Sequence, residues 1–237
     1  MHLPSESIHG AVCPVTAALA AVGITVAAYL VIKNKEKRPS LGFFALTTLS
    51  VFLLQALNYA LPGNYSGHLL GALLAGALLG LPAGILSVSV VITVQCLAFA
   101  DGGVEQLGAN LLNMAVIATT TGTLFAQYAQ KRLGAHASVI AGGILSVLAA
   151  VTAVIAELYV GGYAGESLNA AVTTLLVSHL PIALVEGAAT WGLLRLQLFT
   201  DVRRQTYALA TIALAALLLV PLASSLPDAL ETALASL

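Results

Sequence analysis

Charge is almost missing from this chain. Of 237 residues, nine are Lys or Arg and ten are Asp or Glu, 8% together, against about 25% in a soluble domain. Between these few charges run apolar stretches at 11–32, 40–60, 67–80, 83–100, 108–130, 137–160, 168–194 and 206–223. A helix needs about 20 apolar residues to cross a bilayer's hydrocarbon layer. The pattern therefore predicts an all-α membrane protein, a polytopic helical bundle of seven to eight transmembrane helices embedded in a lipid bilayer. Nucleic acid is excluded as a partner by the shortage of basic residues.

Polar or turn-rich breaks separate the stretches: KNKEKRPS, PGNYS, LP, DGGVEQ, KRLGA, GGYAGES and the FTDVRRQ region. The third stretch, 67–80, would reach only about 21 Å as a helix, and charge placement decides its role. If it crosses, Lys33, Lys35, Lys37, Arg38, Lys131, Arg132, Arg195, Arg203 and Arg204 all fall on one side, which the positive-inside rule makes cytoplasmic. Merging 67–100 into one span would send Lys131 and Arg132 outside. The resulting topology places the N-terminus outside, folded into the outer half of the bundle. Residues 1–10 lack the positive n-region of a signal peptide, and Met1 is expected to be retained ahead of the bulky His2.

An N-terminal Met-His dipeptide offers one ion three nitrogens: the Met1 amine, the His2 amide and the His2 imidazole. Three in-plane nitrogens suit the square-planar preference of Ni(II) and Cu(II), with one corner left for another ligand. By itself the dipeptide is equally an accident of initiation. The topology, built from Lys and Arg alone, puts His68 on the same outer side, at the start of the third stretch. His2 and His68 are thus candidate metal ligands, and His9, in the same outer segment, is a spare ligand or a rim residue.

Other polar residues admit two readings. His136 opens a stretch on the cytoplasmic side, beside Lys131 and Arg132, and reads as solvated surface. His179 and Glu186 share a helix face at i, i+7, about 10 Å apart, too far for one mononuclear site. Ionisable groups at that depth face a cavity or a partner, so the pair reads as a helix–helix contact, a step on an ion route or a contact with a coupling subunit. Asn110 and Asn113, at i, i+3, read either as a pair joining helices or as partners of a metal-bound imidazole. Gly71, Gly76, Gly80 and Gly84 suit close helix packing in lipid, and Cys13 and Cys96 read as small packing residues. The chain has no phosphate-binding loop with Lys and Ser/Thr, no Ser-His-Asp set and no HExxH, so it is not read as an enzyme.

MHLP at the N-terminus, NYSGHLLGALLAGALLG around His68, FADGGVEQLGANLLNM and HLPIALVEG together resemble the metal-binding membrane subunits, of CbiM and NikM type, of energy-coupling factor transporters for cobalt and nickel. The resemblance runs from residue 1 to about 200. It implies one Ni(II) or Co(II) ion, carried as substrate, in a near-planar site formed by the Met1 amine, the His2 amide and imidazole, and the His68 imidazole. Asn110 and Asn113 would support the site. It also implies a transmembrane coupling subunit, cytoplasmic ATPase subunits and a small accessory membrane subunit as partners, in a bacterial-type inner (cytoplasmic) membrane. Residues 1–200 would be the metal-binding domain, an N-terminal insert 1–10 plus seven helices. Residues 201–237 would add a helix and a short tail, Pro227-Asp228-Ala229-Leu230-Glu231, similar to the PDGLE sequence of the accessory subunit. The N-terminal SESIH departs from the family's usual continuation after Met-His. A self-sufficient secondary metal carrier or channel is the alternative function, although no internal repeat favours it.

Overall fold

A computed structural model describes residues 2–197, 202–235 and Leu237. The proposed ligand Met1 lies outside the described residues, as do the side chains of Arg203 and Arg204. The chain is built from helices, α1 (Val12–Lys33), α2 (Leu41–Gln55), α3 (Ala72–Leu79), α4 (Leu81–Phe99), α5 (Leu107–Asn110), α6 (Thr119–Val160), α7 (Gly165–Gln197), α8 (Val202–Leu219) and a short α9 (Ala229–Leu234). A π-helical segment, Leu111–Ala118, joins α5 to α6. Among the described residues, five segments are long and apolar enough to cross a membrane: Val12–Lys33, Leu81–Phe99, Leu107–Val160, Gly165–Arg195 and Gln205–Leu222. Large side chains such as Val22, Ile32, Leu97 and Leu218 stay more than 60% exposed on them. In water such patches would be a liability, whereas in lipid they are the surface the bilayer requires.

The 54 residues of Leu107–Val160 would measure about 80 Å as one rod, far beyond a bilayer. They instead fold back at Gly134, whose φ of +77° interrupts the helix, a conformation that only glycine adopts cheaply. The two halves then run side by side. A Cβ on Gly122 would stand 3.0 Å from the Gly142 carbonyl oxygen, and one on Gly142 would stand 2.9 Å from that of Gly122. The break coincides with the KRLGA interruption read from the sequence.

Two details correct the expectations. The bundle is not purely α: Tyr59–Leu61 (β1) and Tyr65–Gly67 (β2) form an antiparallel hairpin in the register Tyr59↔Gly67, Ala60↔Ser66, Leu61↔Tyr65. Its turn, Pro62-Gly63-Asn64, has positive φ at Gly63 and Asn64, the residue types that tolerate it. The 67–80 stretch is also not one helix. Because β2 and its following loop occupy residues 65–71, helix α3 keeps only 8 residues, about 12 Å. Its reversal at Gly80 into α4 brings the pair together so tightly that a Cβ on Gly84 would lie 2.6 Å from the Gly76 Cα.

Basic residues gather at one end of the bundle. Lys37 and Arg38 line a cavity of about 280 Å³ with Gly80 and Gln127. His136, Trp191 and Arg195 line another of about 380 Å³, also with Gln127. Here His136 accepts a hydrogen bond from the Trp191 indole at 3.0 Å. The β1–β2 hairpin, the N-terminal segment and α9 assemble at the opposite end. Between the ends lies a core that includes Val51, Leu70, Val88, Ile92, Met114, Val147 and Leu175, each at most 1% exposed. In lipid such contacts hold helices together by close packing, because burial from water no longer drives them together.

Candidate functional site

His2 and His68 meet at the hairpin end, 66 positions apart in sequence. Both are buried, each 6% exposed, and their rings lie nearly parallel, 17° apart, with centroids 5.5 Å from each other.

The N-terminal segment is held by the α4–α6 connection. Asn110 accepts a hydrogen bond from the Leu3 amide at 2.8 Å and donates to the Leu3 carbonyl at 3.3 Å. The Gly103 amide donates to that same carbonyl at 2.9 Å. Leu3 itself is fully buried. Further along, the Gln106 side-chain amide donates to the Ile8 carbonyl at 3.2 Å. The two glycines of the ADGG motif make room for this segment. Gly102 has a φ of +88°, and a Cβ there would stand 3.1 Å from the His2 Cβ and 2.9 Å from the Asn110 amide nitrogen. A Cβ on Gly103 would meet the Ser5 backbone at 2.7 Å.

His68 is fixed from the other side. Its Nδ1 donates to the Leu69 carbonyl at 3.0 Å, which leaves the imidazole lone pair on Nε2. The loop after it is gripped by α7 and α2. The Glu186 carboxylate, fully buried, accepts from the Leu70 amide at 2.6 Å and the Gly71 amide at 2.9 Å. The Gln55 side chain donates to the Leu70 carbonyl at 2.7 Å. Glu186 is thus a positioning residue for the His68 loop, not one half of a pair with His179. His179 donates from Nδ1 to the Leu175 carbonyl of its own helix at 2.9 Å.

Two carboxylates flank the imidazoles. His2 Nδ1 lies 3.2 Å from Asp101 Oδ1, to which it donates, and Nε2 is buried with no hydrogen-bond partner among the described residues. Partial burial would push the Asp101 carboxyl up, but the hydrogen bond from His2 and the positive charge gathered around the carboxylate together hold it at about 2. His68 Nε2 lies 3.8 Å from Asp228 Oδ2. Among the described residues no three His, Cys, Asp or Glu side chains converge as a metal cluster. A metal held here would need backbone or terminal nitrogens besides the imidazoles.

The remaining candidates separate. Asn113 does not accompany Asn110. The π-helical stretch advances fewer degrees per residue than an α-helix, and Asn113 donates instead to the buried Glu157 carboxylate at 2.8 Å. His9 is exposed and lines an apolar cavity of about 610 Å³ with Thr16 and Glu157. Asp101, Gln106, Gln55 and Asp228 were absent from the sequence-derived site. Asp101 and Gln106 stood in a polar break, Gln55 was an amide inside an apolar stretch and Asp228 belonged to the PDGLE-like tail, signals that do not say what each faces.

Fold and site together define a multi-pass helical membrane protein that seats its own N-terminal segment beside a buried histidine. Residues 2–206 match the family model described as CbiM, the cobalt uptake substrate-specific transmembrane region, and the chain belongs to that family. It is 34% identical over 171 residues to a protein of Archaeoglobus fulgidus provisionally named a fused nickel transport protein, NikMN, covering 72% of this chain and 57% of that one. The chain thus spans less than two thirds of that relative. A provisionally named metal transport protein of Haloquadratum walsbyi is 31% identical over 198 residues, covering 81% of this chain and 87% of its own. A crystal structure described as a transition metal transporter superposes with a TM-score of 0.71 at 26% identity, over 88% of this chain and 98% of that one. One described as a truncated transition metal transporter gives 0.70 at 28%, over 82% and 97%.

Proposed function

We propose that this chain captures Ni(II) or Co(II) at the outer face of a bacterial-type inner membrane, as the substrate-specific subunit of an energy-coupling factor importer. The carrying observation is the pairing of His2 with His68, two buried imidazoles brought together from distant parts of the chain. Because the amine, amide and imidazole of one chelate take consecutive corners, His68 would take the corner beside the His2 ring, where metal–nitrogen bonds of about 2 Å put ring centres roughly 4.5 Å apart. The 5.5 Å between the two rings brings them near that spacing, with about 1 Å left to close on the ion. The Met1 amine and the His2 amide complete the set in this reading. The topology of seven to eight spans, with the N-terminus outside, belongs to it too, as does the division into a metal-binding domain, 1–200, and an appended helix and tail, 201–237.

The chelate imposes one local change. A ring closed through the His2 amide uses Nδ1, which in the structure faces Asp101. Turning the imidazole about its Cβ–Cγ bond presents Nδ1 to the ion and carries Nε2 toward the position beside Asp101. A carboxylate then receives the outer N–H of a metal-bound histidine, the arrangement that orients such ligands. Asn110 acts one step further out, through the Leu3 backbone. Asn113 and His9 have no part in holding the ion in this reading.

A transmembrane coupling subunit, cytoplasmic ATPases and a small accessory subunit would supply energy and assembly, since this chain carries no nucleotide-binding motif. The test uses the purified full chain, with and without one residue added ahead of Met1. Tight one-to-one Ni(II) binding that the added residue abolishes, with no flux in vesicles from the chain alone, is the expected result. Normal binding by the extended chain would overturn the four-nitrogen site. Steady gradient-driven flux by the chain alone would replace the importer-subunit reading with the secondary carrier.

A further inference from the structure

The family match ends at residue 206, yet the chain's last described segment returns to the histidine site. Residues 226–228 pair with β2: the Ser66 amide donates to the Pro227 carbonyl at 2.8 Å, and the Ser66 hydroxyl donates to the Leu226 carbonyl at 2.9 Å. Ser66 and Asp228 form a parallel bridge, two residues before His68. This seats Asp228 so that Oδ2 lies 3.8 Å from His68 Nε2, while its Oδ1 accepts from the Leu230 amide at 2.8 Å. Helix α9 then lays Ala229, Leu230 and Ala233, each at most 1% exposed, onto the bundle. Glu231, Leu234 and the following Ala235 line a cavity of about 460 Å³ together with Pro4, Ser5 and Ser7. The two terminal segments thus border one cavity.

Six residues cannot sustain a helix alone. Helix α9 persists through a capping box, with the Asp228 amide donating to Glu231 at 3.1 Å, and through one buried apolar face. Elements with so few contacts are the ones that open locally while the rest of a fold stays closed. A buried dication also needs counter-charge close by, and Asp228 sets a carboxylate beside His68 as Asp101 does beside His2.

We propose that residues 226–235 are a resident lid of the metal site, with Asp228 supplying a carboxylate beside His68, so that the transported dication passes when α9 lifts from the bundle. This rests on the metal-site reading above and adds regulation of that site by the chain's own tail.

The experiment uses the full-length protein in detergent with Ni(II) as the probe. Equilibrium affinity, release rate into excess chelator, and amide hydrogen exchange of α9 with and without metal are measured. Leu230→Gln loosens the buried face and is expected to speed release at least about tenfold, the scale of supporting-residue effects at metal sites. Asp228→Asn keeps a capping side chain but removes the charge, and is expected to weaken affinity roughly 10–100-fold. Nickel is expected to slow exchange across 229–234 in the wild type. If Leu230→Gln does not fold, Glu231→Ala, at an exposed position, removes the reciprocal capping bond and takes its place. Wild-type release rates in the loosened variant, or α9 exchange indifferent to nickel, would overturn the lid. Retained binding in His68→Ala would instead overturn the metal site itself, so the two failures are distinguishable.

Discussion

Replacing Asn110 with alanine removes both side-chain hydrogen bonds to Leu3, the residue that follows His2. The Leu3 carbonyl keeps a partner, because the Gly103 amide still donates to it. The Leu3 amide does not, and an orphaned buried donor costs about 1–3 kcal/mol, with roughly 1 kcal/mol more for the second bond. The sum, about 2–4 kcal/mol, favours the unseated N-terminal segment and corresponds to roughly a 30- to 900-fold loss of metal affinity. That range is a ceiling, since only the part of the penalty that unseats the metal-free segment reduces apparent affinity. Asn113→Ala is the matched control: it removes an amide of the same size from the neighbouring stretch, where it contacts Glu157 and not the N-terminal segment. Calorimetry with Ni(II) on both variants, in one detergent and at one pH, is the assay. Equal losses in the two variants, or wild-type affinity in Asn110→Ala with the segment equally protected from hydrogen exchange, would refute the argument.

Other perturbations follow from the same geometry. Gly102→Ala forces a side chain onto a φ of +88° and against His2 and Asn110, which costs about 1–3 kcal/mol; calorimetry should show a roughly 5- to 150-fold weaker site with little change in helix content by circular dichroism. Glu186→Gln leaves one acceptor for the Leu70 and Gly71 amides and turns an NH₂ toward the other. Losing a hydrogen bond to a charged group costs about 1.5–3 kcal/mol, so the melting temperature should fall together with nickel affinity. His179→Ala, whose imidazole bonds only within α7 among the described residues, should leave nickel affinity within about threefold of wild type.

The bundle was legible because bilayer thickness and charge placement act on whole segments. Even the fold-back at Gly134 fell at the KRLGA break, where Lys131 and Arg132 collect. The hairpin at 59–67 was not, since two three-residue strands are too short for any periodicity and the apolar stretch continues through them. Topology anticipated only a shared side of the membrane for His2 and His68; the Met-His motif and the family resemblance suggested the pairing, and the structure brings the two rings together. Glu186 was read together with His179, because helix spacing relates those two and says nothing of the loop 115 positions away that it holds. Asn113 shows the opposite limit: the i, i+3 rule assumes α geometry, and Leu111–Ala118 is π-helical.

The site draws on parts of very different stability. His68 is fixed by Glu186 and Gln55 from within the bundle, whereas His2 sits on a segment tied down by a few hydrogen bonds, and Asp228 on one turn and a half of helix. An ion bound between them joins the tight elements to the loose ones, so its binding energy should appear first where the least was holding before. At a hundredfold excess over the dissociation constant a ligand adds about 2.7 kcal/mol to the state that binds it. Spread over the whole bundle this shifts a melting curve modestly; concentrated on residues 2–10 and 226–235 it slows their amide exchange up to roughly a hundredfold, while amides in the core of α6 and α7 exchange as before. Hydrogen-exchange mass spectrometry at saturating nickel separates the two patterns. Protection spread evenly along the chain would mean that the ion stabilises the bundle as a unit, and that the chain ends are not the moving parts of the site.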